Sequence, residues 1–187
     1  MNLEIGFGRG EFILQFAKDR PNETMVALET RLKWCLSLAQ KIREENLGNL
    51  RVVFQDAREF MIDWIEAAAV KSIFLFFPDP WWKSRHHRRR IFVHPFISVL
   101  YEKLTPEGEI LLKTDVKEYV DDTISRIQRY ATFRLELLEK AEMPGLIPTY
   151  REKRCMQEGL SIHTLRMIKL PIQNEREVPY SPKRRLL

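Results

Sequence analysis

Cysteine is almost absent: Cys35 and Cys155 are the only two in 187 residues. Two thiols make neither a disulfide framework nor a zinc quartet, and Cys35 falls on an apolar helical stripe where a core thiol is expected. No apolar stretch approaches the ~20 residues of a membrane-spanning helix, and Met1 is followed by no basic-then-apolar leader. Internal repeats and low-complexity tracts are missing as well. These absences predict a cytoplasmic chain with no membrane attachment and no evident obligate protein partner. A chain of this length forms one core-bearing domain on the usual scale. The 44% apolar and 30% charged residues are ordinary for a globular enzyme. Net charge is +5, with the excess clustered in 83–90 and in Lys183-Arg184-Arg185. Clustering of this kind favours a polyanionic partner over a uniformly solvated surface.

Leu3-Glu-Ile5 runs into Gly6-Phe-Gly-Arg-Gly10 and then Glu11 to Lys18, the pattern of a strand end, a glycine turn and a helix. Glycine admits positive φ and close backbone approach by a ligand. The spacing is G-x-G-x-G, and the position that would complete the dinucleotide fingerprint G-x-G-x-x-G is Glu11. A pyrophosphate on that helix N-terminus would meet a negative charge. A cofactor without phosphates suits Gly6, Gly8 and Gly10 better, and S-adenosylmethionine is the obvious one. Its cationic sulfonium and amino group suit Glu4, on the strand just before the turn. Strand–helix turns also recruit glycine with no ligand at all.

Thr24–Glu29 reads as a second strand ending in an acid. Glu29 there can accept both ribose hydroxyls of an adenosine, or be a solvated strand-end carboxylate. Leu32, Cys35, Leu36, Ala39 and Ile42 recur at helical spacing. Leu50–Phe54 is a third strand followed by Gln55-Asp56-Ala57, where Asp56 could recognise the adenine amino group and Ala57 leaves room for the ring. Glu59–Ala69 is expected to be helical, with Phe60, Trp64 and Ile65 on its buried side.

The stretch Ser72–Phe77 is apolar at all but its first residue, too short for a core helix and bounded by Pro78, so a fully buried strand is expected. Pro78 and Pro80 predict a stiff, extended exit with Asp79 held between them. Trp81, Trp82 and Lys83 follow, then Arg85, His86, His87, Arg88, Arg89 and Arg90. An acid at a strand end followed by aromatics and cations suits a nucleobase on a phosphate chain.

Ile91–Leu104 reads as a helix, Glu109–Asp115 as a fifth strand with an acid at its carboxyl end, Phe133–Lys140 as a sixth and Leu160–Leu170 as a seventh. Met143–Arg154 reads as a polar loop. Residues 1–170 are expected to form the folded domain and 171–187 a charged, proline-containing tail. Alternating strands and helices predict an α/β fold, a mostly parallel seven-stranded Rossmann-like sheet with helices on both faces. Ligands bind such sheets at the carboxyl ends of the strands, where Gly6–Gly10, Glu29, Asp56, Asp79 and Asp115 all fall.

Leu3-Glu-Ile-Gly-Phe-Gly-Arg-Gly10, Phe77-Pro-Asp-Pro-Trp81 with Lys83 and Arg85–Arg90, Thr114-Asp115 and Thr149-x-x-Glu152 together resemble the bacterial tRNA (guanine-N7-)-methyltransferase family, over about residues 3–170. That family methylates the guanine at position 46 of the tRNA variable loop with S-adenosylmethionine. The resemblance implies cofactor contacts at Glu4, Gly6, Glu29, Asp56 and Asp79. It implies tRNA or target-guanine contacts at Lys83, Asp115, Thr149 and Glu152, with 85–90 meeting the phosphate backbone. The chain departs from the family in starting almost at the glycine turn, in carrying Trp82, and in its tail after Leu170.

Guanine N7 carries a lone pair and no proton, so no general base is needed, and the task is in-line placement. Methylation leaves positive charge on the base, which a carboxylate stabilises most in the transition state. Asp79 is therefore expected between cofactor and base as the principal catalytic group. Asp115 and Glu152 would grip the guanine edge, and Thr149 or Lys83 would donate to O6. His86 and His87 lack companion ligands, so no metal is expected. A small-molecule or protein methyltransferase, a non-catalytic RNA-binding subunit on a decayed methyltransferase fold, and a nicotinamide-dependent oxidoreductase remain the alternatives.

Overall fold

The computed structural model describes residues 1–129, 133–138 and 146–171. Seven strands among the described residues form one sheet in the order β3-β2-β1-β4-β5-β7-β6: β1 (Asn2–Ile5), β2 (Met25–Glu29), β3 (Leu50–Phe54), β4 (Val70–Phe76), β5 (Leu104–Thr114), β6 (Phe133–Leu138) and β7 (His163–Lys169). Neighbours from β3 through to β5 are parallel, and β7 runs antiparallel to both β5 and β6. The chain moves outward from β1 to β3, then returns to place β4 on the other side of β1. That reversal opens a crevice at the carboxyl ends of β1 and β4.

The strand expected over Ser72–Phe77 is β4, Val70–Phe76, buried from Ser72 to Phe76 because both faces of the sheet are covered, while Phe77 lies past its end and is half-buried. Side chains alternate along β4. Ile73 and Leu75 face a cluster that includes Met61 of α3 (Ala57–Asp63), Phe96 and Leu100 of α4 (Phe96–Lys103) and Val120 of α5 (Lys117–Gln128). Phe74 and Phe76 face the opposite cluster, with Phe12 and Phe16 of α1 (Glu11–Asp19) and Leu38 of α2 (Leu32–Glu44). The Phe12 ring meets Phe74 and Phe76 edge-on at centroid distances of 4.9 and 4.8 Å, and Phe16 meets Phe74 at 5.0 Å. Edge-to-face rings add to plain burial, so these contacts fix α1, and with it the turn that precedes it, against β4. Gly10 ends that turn at φ +70°, where a Cβ would lie 2.9 Å from the Leu38 side chain.

Several expected boundaries move. The helix expected over Ile91–Leu104 begins only after Pro95, its N-cap residue, since proline disfavours a helix through its own position. α3 is shorter than Glu59–Ala69, and Trp64 lies exposed past its end, while Met61 is buried instead. On α2 the buried residues are Cys35 and Leu38, with Leu32 and Leu36 exposed. The end of the loop expected over Met143–Arg154 is instead the start of a helix, α6 (Tyr150–Gln157). Its start at Thr149 carries a signal that the composition of 143–154 hides: Ser or Thr with an acid three residues on is a helix-capping pattern. The end of the expected sixth strand (139–140), the start of that loop (143–145) and the tail from 172 lie outside the described residues.

Phe12→Ala should cost about 3–5 kcal/mol of stability in urea unfolding. A loss under ~1 kcal/mol would contradict the aromatic cluster as the anchor of α1.

Candidate active site

The turn after β1 and the Pro78-Asp79-Pro80 segment after β4 border the same cleft, of about 710 Å³. Glu4 contributes to its wall, buried between Ala27 of β2 and Phe74 of β4 in the register of the sheet. Its Oε2 atom has no hydrogen-bond partner. Burial pushes the Glu4 carboxyl well above its ordinary range; the Ile13 backbone amide opposes that rise, and the charge of Glu29 adds to it. Gly6 and Gly8 both line the cleft, and a Cβ added at either would meet nothing within 4 Å. The turn therefore leaves space on its cleft side.

Glu29 is buried and already engaged. Its Oε1 accepts from the backbone amides of Thr30 and Arg31 (2.8 and 3.1 Å), and its Oε2 accepts from the Gly8 amide at 3.1 Å. It thus pins the glycine turn to the end of β2 and keeps acceptor capacity on Oε2. Asp56 N-caps α3 through Oδ1, which accepts from the Arg58 amide at 2.7 Å, so Oδ2 is left for a ligand. Ala57 is buried beside it on the cleft wall.

Beyond β4 the exit is sharper than two prolines alone predict. Phe77 and Trp81, at φ +51° and +49°, are left-handed residues bracketing Pro78-Asp79-Pro80, a conformation that bulky side chains adopt at a cost of roughly 1–3 kcal/mol each. The Phe77 amide donates to the Lys113 carbonyl at 2.7 Å, tying this hook to β5. Asp79 is exposed and lines the cleft. Trp81 carries Arg89 over its ring at 4.8 Å and His86 against its edge at 5.9 Å, and Trp82 is 67% exposed.

The basic run folds as a 3-10 turn over Ser84–Arg89. Lys83, Arg85, Arg88 and Arg89 are exposed, and His86 and His87 are half-buried. Arg90 departs from its expected place among the phosphate-facing residues. It is 2% exposed, donating from Nε to the Pro80 carbonyl (3.0 Å), from Nη1 to Asp122 (2.9 Å) and from Nη2 to Glu118 (3.2 Å). Burial pushes Asp122 up, but hydrogen bonds from Arg126 and Arg90 outweigh it and hold the carboxyl below its ordinary value. Arg90 is therefore the buried anchor that fixes the basic turn to α5. Beneath it lies Tyr119, whose phenol burial pushes up to about 12.

On the other side of the cleft mouth, α6 is held by four consecutive residues. Tyr150 stacks under the Arg9 guanidinium at 3.5 Å, Arg151 donates to Asp115, Glu152 accepts from Lys113 through both oxygens (2.9 and 3.1 Å), and Lys153 donates to Glu11 at 2.9 Å. Thr149 N-caps the helix by accepting from the Glu152 amide. Asp115 and Thr149 line the cleft. Glu152 is buried in its ion pair with Lys113, and neither it nor Lys83 is among the cleft-lining residues. Sequence reasoning missed Lys113 and Arg151, the cations that hold the two predicted guanine-gripping acids, and Arg9 and Tyr150. No group of metal-ligating side chains occurs among the described residues, and none of their helices is long and apolar enough to cross a membrane. Both thiols, Cys35 and Cys155, are buried, which pushes them up and away from reactivity.

Residues 1–165 match the family model described as "Putative methyltransferase". The tRNA (guanine-N(7)-)-methyltransferase of Nitrosomonas europaea is 33% identical over 167 residues, covering 89% of this chain and 73% of the relative. That of Thiobacillus denitrificans is 35% identical, with 87% and 72% covered. Among solved structures, the 16S rRNA methyltransferase KamB superposes with a TM-score of 0.66 at 17% identity, covering 90% of this chain and 87% of that one. That likeness bears on the fold. The chain belongs to the tRNA (guanine-N(7)-)-methyltransferase family.

The cleft fits S-adenosylmethionine on its own terms: a buried carboxyl with one unpartnered oxygen for a cation, empty space over two glycines, and spare acceptors at Glu29 and Asp56. The folded-state pKa of Glu4 is raised, so its stability contribution is present at low pH and lost as pH rises from the ordinary carboxyl value of 4.5 through the raised one. Glu4→Gln should therefore raise the melting temperature of the ligand-free protein by on the order of a few degrees near neutral pH, a gain that shrinks in acid. The same variant should weaken S-adenosylhomocysteine binding by about tenfold or more, as loss of a charged hydrogen bond does. A destabilised variant with unchanged affinity would contradict the assignment.

Proposed function

We propose that this member of the tRNA (guanine-N(7)-)-methyltransferase family transfers a methyl group to N7 of a guanine in tRNA, with position 46 of the variable loop as the target. The observation that carries the reading is one cleft bordered by Glu4 and Glu29 on the glycine-turn side and by Asp79 and Asp115 on the other. S-adenosylmethionine supplies the electrophilic methyl group. Glu4 receives its cationic methionine end, Glu29 a ribose hydroxyl, and Asp56 with Ala57 the adenine edge. The backbone of Gly6, Gly8 and Gly10 shapes the wall.

The target N7 needs no deprotonation, so the chain's contribution is orientation and charge. Asp79, exposed at the hook between two prolines, faces positive charge as it develops on the base. Its backbone is constrained by the left-handed residues on either side, which lowers the cost of holding it in place. Asp115 accepts from the guanine N1–H and amino group, with Arg151 sharing its carboxylate, and Thr149 donates to O6. Glu152 acts from behind, keeping α6 docked through Lys113, and Lys83 works with the exposed basic turn outside the cleft. Arg85, Arg88 and Arg89, with His86 and His87, meet the tRNA backbone. Such a substrate puts the enzyme's work in the cytoplasm.

Methyl transfer from labelled S-adenosylmethionine to unmodified tRNA, followed by borohydride–aniline cleavage, should cut at a single variable-loop guanine. Label without cleavage would discard N7. Asp79→Ala should lower turnover at saturating tRNA by roughly 10²-fold, the scale of one charge-stabilising group. Near-normal turnover would remove Asp79 from the chemistry.

A further inference from the structure

A second cationic and aromatic surface runs from the glycine turn to the segment after β2, and its Arg9, Arg31, Trp34 and Tyr150 line the same cleft. β2 and β4 flank β1, so the segment following β2 and the Trp81–Arg89 segment following β4 stand on either side of that turn. Arg9 is exposed, with its guanidinium 3.5 Å from the Tyr150 centroid and 5.9 Å from that of Trp34. Lys33 is exposed with Nζ 4.8 Å over the Trp34 ring, and Arg31 is exposed at the entry to α2. Tyr150 keeps 43% of its surface in solvent.

Charge separates this patch from an ordinary solvated rim. Arg151 and Lys153 next door are paired with Asp115 and Glu11, whereas Arg9, Arg31 and Lys33 have no acidic side-chain partner among the described residues. Contact with a ring face holds a cation in place and leaves its charge unneutralised. Two such cations over two aromatic rings, with Arg31 exposed beside them, match the two chemistries of a single-stranded nucleic acid: phosphates for the charges and a base face for the rings. An acidic protein would use the cations and leave the rings without a flat partner.

We propose that Arg9, Arg31 and Lys33, with Trp34 and Tyr150, form a second RNA contact surface, binding phosphates and an unstacked base of the same tRNA whose guanine enters the cleft. This rests on the tRNA reading above. The two basic surfaces then hold the RNA on both sides of the reacting position, and the tRNA straddles the cofactor-binding turn.

The test uses the full chain, unmodified tRNA across a salt series, and calorimetry with S-adenosylhomocysteine. Arg31→Glu with Lys33→Glu introduces acids into a first helical turn that has none, where the helix dipole favours them, so folding should survive. Lys33→Ala is the milder companion, and an unchanged melting temperature verifies each. The double variant should bind tRNA about tenfold or more weakly, with its salt slope reduced by roughly 1.5, the share of two phosphate contacts. S-adenosylhomocysteine affinity should stay as in the unmodified chain in Lys33→Ala, whose side chain is not among those lining the cleft. Lys33→Ala alone should reduce the slope by roughly 0.7–0.9.

Wild-type tRNA affinity and slope in both variants, alongside a wild-type enzyme that methylates tRNA, would overturn this surface and leave the function standing. An acidic protein partner would give that result. Loss of S-adenosylhomocysteine affinity with tRNA binding intact would assign the patch to the cofactor and overturn the proposal. A wild-type chain that neither binds nor methylates tRNA would overturn both readings.

Discussion

A carboxylate buried in the first strand of the sheet is the constraint around which this molecule is arranged. Glu4 sits between β2 and β4, 2% exposed, with one oxygen unpartnered. A charge in that position is costly unless paired, and burial accordingly pushes its carboxyl toward the protonated form. Nothing in the packing of a parallel sheet calls for an acid there, since its strand neighbours Leu3 and Ile5 do the work of the core. The site stores an unmet preference for a cation at the point where strand order reverses. The glycine turn stays open above it, Glu29 pins that turn from the next strand, and the Phe12 and Phe16 rings lock the helix that follows. Local instability here is the counterpart of ligand affinity.

The second organising feature is α6, which no core strand requires. Its first four residues each reach a different partner, two on the glycine-turn side, one on β5 and one just past the end of β5. The Lys113–Glu152 pair is buried and bidentate, so removing either partner would leave an uncompensated charge, a cost of about 3–5 kcal/mol. The helix thereby fixes the distance between the wall that fits the cofactor and the acid expected to meet the base. Thr149-x-x-Glu152 is in this structure an N-cap whose acid is turned onto β5. Its influence on a substrate would pass through the placement of Asp115 and Arg151.

Much of this was legible in the sequence because the relevant signals are local. Residues 72–77 read as a doubly buried strand from length and composition, and strand-end acids followed once strands alternated with helices. Three features were not legible, each for a physical reason. Apolar spacing on α2 admits two neighbouring faces, and Leu38 with Cys35 won over Leu32 and Leu36 because the Gly10 turn packs on Leu38. α6 is a short, strongly polar helix held by ion pairs to distant residues, so periodicity is faint and only its capping pattern announces it. A run of adjacent cations does not reveal which one turns inward. Arg90 does so because Glu118 and Asp122, 28 and 32 residues away, are brought beneath it by α5.

Proton linkage on cofactor binding tests the central claim most directly. Calorimetric titration of S-adenosylmethionine into the ligand-free protein, in two buffers of different ionisation enthalpy, counts protons exchanged with solvent. A Glu4 carboxyl that is protonated in the empty cleft and ionised against the bound cation predicts net proton release, within the pH window between its ordinary and raised values, absent in Glu4→Gln. Binding without proton release throughout weakly acid to neutral pH, or release that persists in that variant, would contradict a cleft built around the buried acid of β1.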